Sequence, residues 1–310
     1  MVVYHDILAA RDRISDRLGP TPVIDDHILC DRLRRPVGLK CELFQRTGSF
    51  MPRGALNWLF STRPEELRQG VITVSSGNHG LALAWACRAL QVPAVVVVPE
   101  HTSNNRVEAI RNHGAEVIRH GSVAEAWARQ AELAQERDLV LVHPWDDPRI
   151  IAGQGTVGLE IINQVPQAGT LLCPVGGGGL ISGVAIAARE RRPDIQIIGV
   201  EPAGAPTLLS AWQAGAPVEL ESTDTIATSL AASRAGEHTL RLSREYVDRI
   251  VTVSDDSIRA AITHLHNDCK LNTEPGGAAA LAALLDNTAI PHLSERGDIV
   301  AIVSGGNAGD

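Results

Sequence analysis

The residues best suited to chemistry in this chain lie in short polar turns that follow apolar runs. T-L-L-C-P-V (170–175) runs into G-G-G-G-L (Gly176 to Leu180), and a helical pattern follows. Four successive glycines let the backbone come close to an anion, and their N–H groups with the dipole of the next helix form a phosphate cradle. The same run also fits a tight strand-to-helix turn with no ligand. V-I-T-V (71–74) leads in the same way into S-S-G-N-H-G (Ser75 to Gly80), which by itself could be an N-capped turn, and the last apolar run ends in S-G-G-N (Ser304 to Asn307). Three small polar turns at one predicted edge are hard to explain by chain reversal alone. A fourth stretch, G-S-F-M-P-R-G-A (48–55), surrounds Met51 with turn formers and a charge rather than packing partners. It reads as a catalytic loop whose working residue has been replaced.

Elements that could position these turns are visible in the apolar pattern. Near-continuous β-branched runs occur at 71–74, 94–98, 115–118, 139–142, 170–175, 195–200, 249–253 and 299–303. Such runs read as parallel strands covered on both faces. Between them lie segments with helical spacing, such as L-A-L-A-W-A-C-R-A-L (81–90) and V-A-E-A-W-A-R-Q-A-E-L-A (123–134). The βαβ alternation predicts an α/β fold with open, mainly parallel sheets and no internal repeat. In such folds ligands bind beyond the carboxyl ends of the strands, which is where the polar turns fall.

Composition narrows the partner. The chain has 310 residues, 44% apolar and 21% charged, enough for one large core or two modest ones. A formal charge of −8 leaves no basic face for nucleic acid, so a small-molecule partner is expected. The five cysteines (Cys30, Cys41, Cys87, Cys173, Cys269) are odd in number and far apart, suggesting neither a zinc site nor a disulfide framework and fitting a reducing cytoplasm. The first residues show no export signal, and no run is long enough to span a bilayer.

The turns, their order and their spacing resemble the fold type II pyridoxal-phosphate enzymes, tryptophan synthase β-like in architecture, and within them the serine/threonine dehydratase and serine racemase group. The resemblance covers essentially the whole chain. The family pattern S-F-K-x-R-G-A, whose lysine is the Schiff-base partner of pyridoxal 5'-phosphate, is matched by Ser49-Phe50-Met51-Pro52-Arg53-Gly54-Ala55. Further matches are V-H-P-W-D-D-P (142–148), I-A-G-Q-G-T (151–156), G-V-E-P (199–202) and T-E-P-G-G-A (273–278). His79, where sulfhydrylase-like members have threonine, and the all-glycine phosphate loop favour the dehydratase group.

The resemblance implies roles by position. Gly176, Gly177, Gly178, Gly179 and Leu180 hold the cofactor phosphate, Asn78 meets the ring hydroxyl, Ser304 faces the pyridine nitrogen, and Phe50, Glu274 and Gly305 complete the cofactor site. Ser304 as a plain turn serine is the alternative. Ser75, Ser76, Gly77, Asn78 and His79 line the place of the substrate carboxylate, which hydroxyls and amides at a helix N-terminus can hold without a charged residue. A neutral hydroxyl at Ser304 suits loss of a β-leaving group over transamination. Ser76 permits racemisation without requiring it. A divalent-cation site of the group has weak candidates here in Glu201 and the Ala205 carbonyl, with Thr207 where an aspartate is expected; two oxygen ligands are too few for a tight site. Thr228-Ser229 replaces the usual Asp-Gly, so Ser229 is expected to narrow or repolarise the pocket.

Met51 can neither form the imine nor take up the Cα proton, so the chain as written is expected to be inactive. The only lysines are Lys40, in a predicted strand, and Lys270. Either would need a rearranged pocket. An altered active parent, a natural non-catalytic relative and an error in the recorded sequence each account for Met51. The expected function is dehydration of a β-hydroxy amino acid such as L-threonine or L-serine to a 2-oxo acid and ammonia. The alternatives are a serine racemase or 3-hydroxyaspartate dehydratase, or a relative that only binds pyridoxal phosphate or an amino acid. The family also implies a large cofactor-binding domain (1–46 plus 146–310), a small mobile domain (47–145), a homodimer, and here no C-terminal regulatory domain.

Overall fold

In the computed structural model, which describes residues 1–308, the chain folds around two sheets. The larger has six strands: β1 (Val23–Asp25), β2 (Val37–Cys41), β7 (Ala168–Pro174), β8 (Gln196–Pro202), β9 (Arg249–Val253) and β10 (Asp298–Val303), in the spatial order β1-β2-β10-β7-β8-β9. Only the β1–β2 pairing is antiparallel. The smaller sheet is wholly parallel, in the order β5-β4-β3-β6, built from β3 (Val71–Val74), β4 (Ala94–Val98), β5 (Glu116–Arg119) and β6 (Val140–Leu141).

The helices in chain order are α1 (Tyr4–Ile14), α2 (His27–Leu33), α3 (Met51–Phe60), α4 (Asn78–Leu90), α5 (Asn104–Arg111), α6 (Val123–Arg137), α7 (Pro148–Gln164), α8 (Gly179–Arg191), α9 (Thr207–Ala214), α10 (Glu237–Tyr246), α11 (Asp255–Asn267) and α12 (Pro275–Leu285). Each sheet is covered on both faces, which is why its central strands are buried at nearly every position. Along β7, Leu172 joins the core shared with α11 and α12, whereas its neighbour Leu171 joins the core shared with α7 and α8. In β4, Val96 and Val98 pack toward α3 and α4, while Val95 and Val97 pack toward α6. Alternate side chains thus serve opposite cores.

All eight apolar runs become strands, three with the same ends and the others with ends shifted by one or two residues. The largest loss is at 139–142, which shortens to Val140–Leu141 because β6 is an edge that pairs with β3 alone. Lys40 lies in β2, as expected. The short antiparallel β1 carried no usable pattern in three residues. The stretch around Met51 differs more. It is the first turn of helix α3, with Pro52 in that turn, where a missing N–H costs nothing. Arg53 and Gly54 are buried inside it. The turn formers that suggested a loop serve close packing. A Cβ on Gly54 would lie 2.6 Å from Gln154 Nε2, and one on Gly153 would lie 2.5 Å from the Arg53 carbonyl, so α3 and α7 touch backbone to backbone.

Candidate functional site

A buried ionic cluster fixes the start of α3. Arg53 is 1% exposed; its Nε and Nη2 donate to Glu42 at 2.8 and 2.9 Å, and its Nη1 donates to Glu160 Oε1 at 2.5 Å and to Thr156 Oγ1 at 3.1 Å. Burial alone would lower the guanidinium pKa, but the two glutamates raise it above its ordinary value, so the charge persists. Lys40 Nζ donates to the Thr21 carbonyl, Glu160 and Gln164 at 2.6–2.9 Å. Burial pulls its pKa down, and Glu160 partly restores it. With its ammonium donating to these three acceptors, Lys40 is committed to structure. Lys270 is exposed and its Nζ donates to the Asn267 carbonyl.

Two residues before Arg53, Met51 is half-buried at the tip of α3, and Gln154 Nε2 on α7 points to its sulfur at 3.7 Å. The chain just before it lies against the turn after β10. Ser49 pairs with Gly305, Phe50 N–H donates to the Ser304 carbonyl at 3.2 Å, and Gly306 N–H donates to the Gly48 carbonyl at 2.9 Å. The same turn reaches two other segments. Asn307 Nδ2 donates to the Thr47 carbonyl and to Asn78 Oδ1, both at 2.7 Å. Asn78 Nδ2 in turn donates to Glu274 Oε1 at 2.7 Å, and Ser229 Oγ donates to the same oxygen at 2.8 Å.

Glu274 is therefore a hub, 6% exposed, that joins the turn after β3, the turn after β10 and the 228–230 segment. Burial raises its pKa, an effect the Ser229 and Asn78 hydrogen bonds offset in part. The Asp-Gly to Thr228-Ser229 departure has a structural counterpart here, since Ser229 supplies one of these donors.

The glycine run opens α8. Gly178 has φ +93°, a conformation suited to glycine, and its Cβ would lie 2.9 Å from Thr239 Cβ. A Cβ on Gly177 would lie 2.3 Å from the Trp145 indole, and one on Gly176 would lie 3.1 Å from Leu230 Cα. Among the described residues, the N–H groups of Gly176 to Leu180 donate to no protein acceptor. The loop is thus a lined, sterically closed cradle of free amides at a helix N-terminus, an arrangement able to accept an anion. Ser229 and Leu230 connect this cradle to Glu274 and so to Asn78.

The turn after β3 faces open space at one point: a Cβ on Gly77 would meet nothing within 4 Å. Ser75 and Ser76 are half-buried, and Ser75 Oγ accepts the Gly77 N–H at 3.2 Å. His79 is 3% exposed, and neither ring nitrogen has a partner among the described residues. Burial pushes its pKa down to about 3, with the nearby His143 acting in the same direction, so the imidazole is neutral at pH 7. The turn offers amides and hydroxyls to an anion without a charged side chain.

Phe50 meets Ser304, Glu274 meets Asn78 and Gly305, and the glycine loop reaches them through Leu230 and its neighbour Ser229. Glu201 and Ala205 stand apart in use. The Glu201 carboxylate accepts the N–H groups of Leu208 and Leu209 at 2.7 and 3.0 Å, and the Ala205 carbonyl accepts that of Thr207 at 2.9 Å. Both are engaged at the start of α9. Burial pushes Glu201 up to about 8, against the pull of those amides.

The sequence reading assigned no role to Asn307, Gln154 or Trp145. All three lie inside quoted motifs, so the signal was position in the motif rather than residue type. Trp145 covers Gly177, its indole N–H lacks a partner among the described residues, and it stacks edge-on against His143 at 4.8 Å.

Comparison with known proteins shows the family. Residues 14–305 match the family described as pyridoxal-phosphate dependent enzyme. The chain is 42% identical to an L-threonine ammonia-lyase of Geobacter sulfurreducens, over 99% of this chain and 76% of that protein. It is 36% identical to the catabolic L-threonine dehydratase of Escherichia coli K12, over 99% and 93%. Among solved structures, maize serine racemase superimposes with a TM-score of 0.95 at 36% identity, covering 99% of this chain and 94% of that one.

Proposed function

The chain belongs to the pyridoxal-phosphate-dependent enzyme family, and from that premise we propose that its site takes a small β-hydroxy amino acid such as L-threonine or L-serine, in the manner of an ammonia-lyase, with Met51 at the place of the reacting lysine. One observation carries the reading. The free amides of Gly176 to Leu180 and the open turn at Ser75–His79 are linked through Ser229, Glu274 and Asn78 into one site beyond the strand ends.

The residues fit the cofactor. A cradle with no room for a Cβ matches a phosphate, and the buried Asn78–Glu274 pair gives a ring edge fixed polar partners. When bound, pyridoxal phosphate supplies an electron sink that acidifies the amino acid's Cα–H. The chain's own part is positional. The glycine amides hold the phosphate, Glu274 and Asn307 hold Asn78 in one orientation, and the Ser75–His79 turn holds the carboxylate with neutral donors. Ser304 presents a hydroxyl rather than a carboxylate. At position 51 the thioether has no proton to give and no basic electron pair suited to take one, so this chain lacks the base that elimination of water requires. Cofactor and amino acid therefore bind reversibly. We assign residues 1–46 with 146–310 to one lobe and 47–145 to the other, each with its own sheet, and infer a homodimer in the cytoplasm. No described helix is long and apolar enough to cross a membrane.

The half-buried Ser76 in the turn supports racemisation as a second reading. One experiment separates them. Met51→Lys is assayed for 2-oxo acid and ammonia from L-serine, L-threonine and both 3-hydroxyaspartate diastereomers, with chiral analysis of recovered substrate. The expected result is oxo-acid formation raised at least about 10²–10⁴-fold over the parent chain, the worth of a positioned acid–base group. Predominant D-isomer formation moves the function to racemase. No turnover by a variant that binds the cofactor covalently overturns the enzyme reading in favour of a binding protein.

A further inference from the structure

Asp26, His264 and Cys269 come together at the edge of the large sheet, where no residue of the cofactor site takes part. One ligand atom from each lies within 4.8 Å of the others. Asp26 sits between β1 and α2 and is 1% exposed; its Oδ1 accepts the Leu29 N–H at 3.0 Å, which leaves Oδ2 facing His264 Nε2 at 2.7 Å. His264 is in the last turn of α11, and its other nitrogen, Nδ1, lies 3.1 Å from Asp268 Oδ2. Cys269 follows two residues after the helix, half-buried and unpaired in any disulfide.

We propose that Asp26, His264 and Cys269 form a zinc-class divalent-cation site. Thiolate, imidazole and carboxylate together select a borderline metal over magnesium or calcium, and two anionic ligands neutralise a dication. Metal–ligand bonds of about 2.0–2.3 Å put the donor atoms of a tetrahedral site within roughly 4 Å of one another, so the trio needs to move by about 1 Å or less. The half-exposed side of Cys269 leaves the fourth position to water and gives the ion its route in.

The surroundings match what such a site needs. Asp268 Oδ2 lies beside Nδ1, where a carboxylate can orient a metal-bound histidine, and the Leu29 amide fixes the Asp26 carboxylate. The ion would tie the end of α11 to the β1–α2 edge, five residues before Glu274. Sequence spacing could not show this site, because Asp26 is 238 residues from His264.

The test uses the full chain. Cobalt(II) is titrated into parent, Cys269→Ser, His264→Gln and Asp268→Asn chains, and difference absorbance is read for the thiolate-to-metal charge-transfer band. Zinc(II) is then added in a thermal-shift assay. The expected result is one cobalt per chain with the band in the parent, no band in Cys269→Ser, roughly 10–100-fold weaker binding in Asp268→Asn, and a zinc-dependent rise in Tm confined to chains that retain all three ligands. Circular dichroism of each metal-free chain checks that the variants fold. Absence of the band in the parent, its persistence in Cys269→Ser, or an equal zinc shift in folded parent and His264→Gln overturns the proposal.

Discussion

Lowering the pH from 7 to 5 brings out the cost of burying His79. In the folded chain its pKa is pushed down to about 3, first by burial and then by His143. In the unfolded chain a histidine titrates near 6.5. Below that value the unfolded state binds a proton that the folded state does not, so stability falls as pH falls, over the window from about 6.5 to 3. At pH 5 the gap is about 1.5 pH units, or about 2 kcal/mol at 1.36 kcal/mol per unit.

Other groups titrate in the same range, so the quantity to read is a difference between parent and His79→Leu. Free energies of unfolding from urea titrations at pH 7, 6 and 5 are expected to show the parent losing about 2 kcal/mol more than the variant. At pH 7 the variant also sheds two buried nitrogens that lack partners among the described residues. Parallel pH curves would refute the reasoning, because they would mean that His79 accepts its proton without unfolding.

Three further outcomes are expected. Gly177→Ala places a methyl 2.3 Å from the Trp145 ring, so it should alter tryptophan fluorescence and weaken binding of pyridoxal phosphate, read by titration against inorganic phosphate as competitor. Arg53→Met leaves Glu42 and Glu160 without their shared cation and should cost about 3–5 kcal/mol, read from urea unfolding. Borohydride treatment of the parent chain with pyridoxal phosphate should leave Lys40 unmodified by mass spectrometry, since Lys40 Nζ donates to Thr21, Glu160 and Gln164 in the core; a pyridoxyl group on Lys40 would contradict its assignment to structure.

The central parallel strands were legible because both of their faces are buried, so no polar alternation interrupts V-I-T-V or A-V-V-V-V. The turns that follow β3, β7 and β10 were legible for the complementary reason: glycine, serine and asparagine stand where the backbone itself makes the site. What was not legible depended on partners far away in the chain. Arg53 read as a loop charge because Glu42 and Glu160, 11 and 107 residues distant, are what make it a buried helix residue. Glu274 was expected at the cofactor, but its bonds to Asn78 and Ser229 span 196 and 45 residues. Gly54 looked like a chain breaker, and its meaning appears only when Gln154 is set against it.

These long-range contacts separate the frame from the reacting position. The Arg53 cluster, the Gly54–Gly153 approach and the Ser49–Gly305 pairing hold the start of α3, and none of them uses the side chain at position 51. Methionine fills that slot with an unbranched stem of lysine's length, so it disturbs packing little. Its sulfur takes a weak hydrogen bond from Gln154 Nε2, a donor that would instead face an acceptor or a cation in a lysine chain. An amide can turn its oxygen to meet an ammonium, and Gln154 Oε1 has no partner among the described residues. Met51→Lys therefore requires a rotation of one side chain rather than a new fold, and a methionine at position 51 is compatible with an intact site around it.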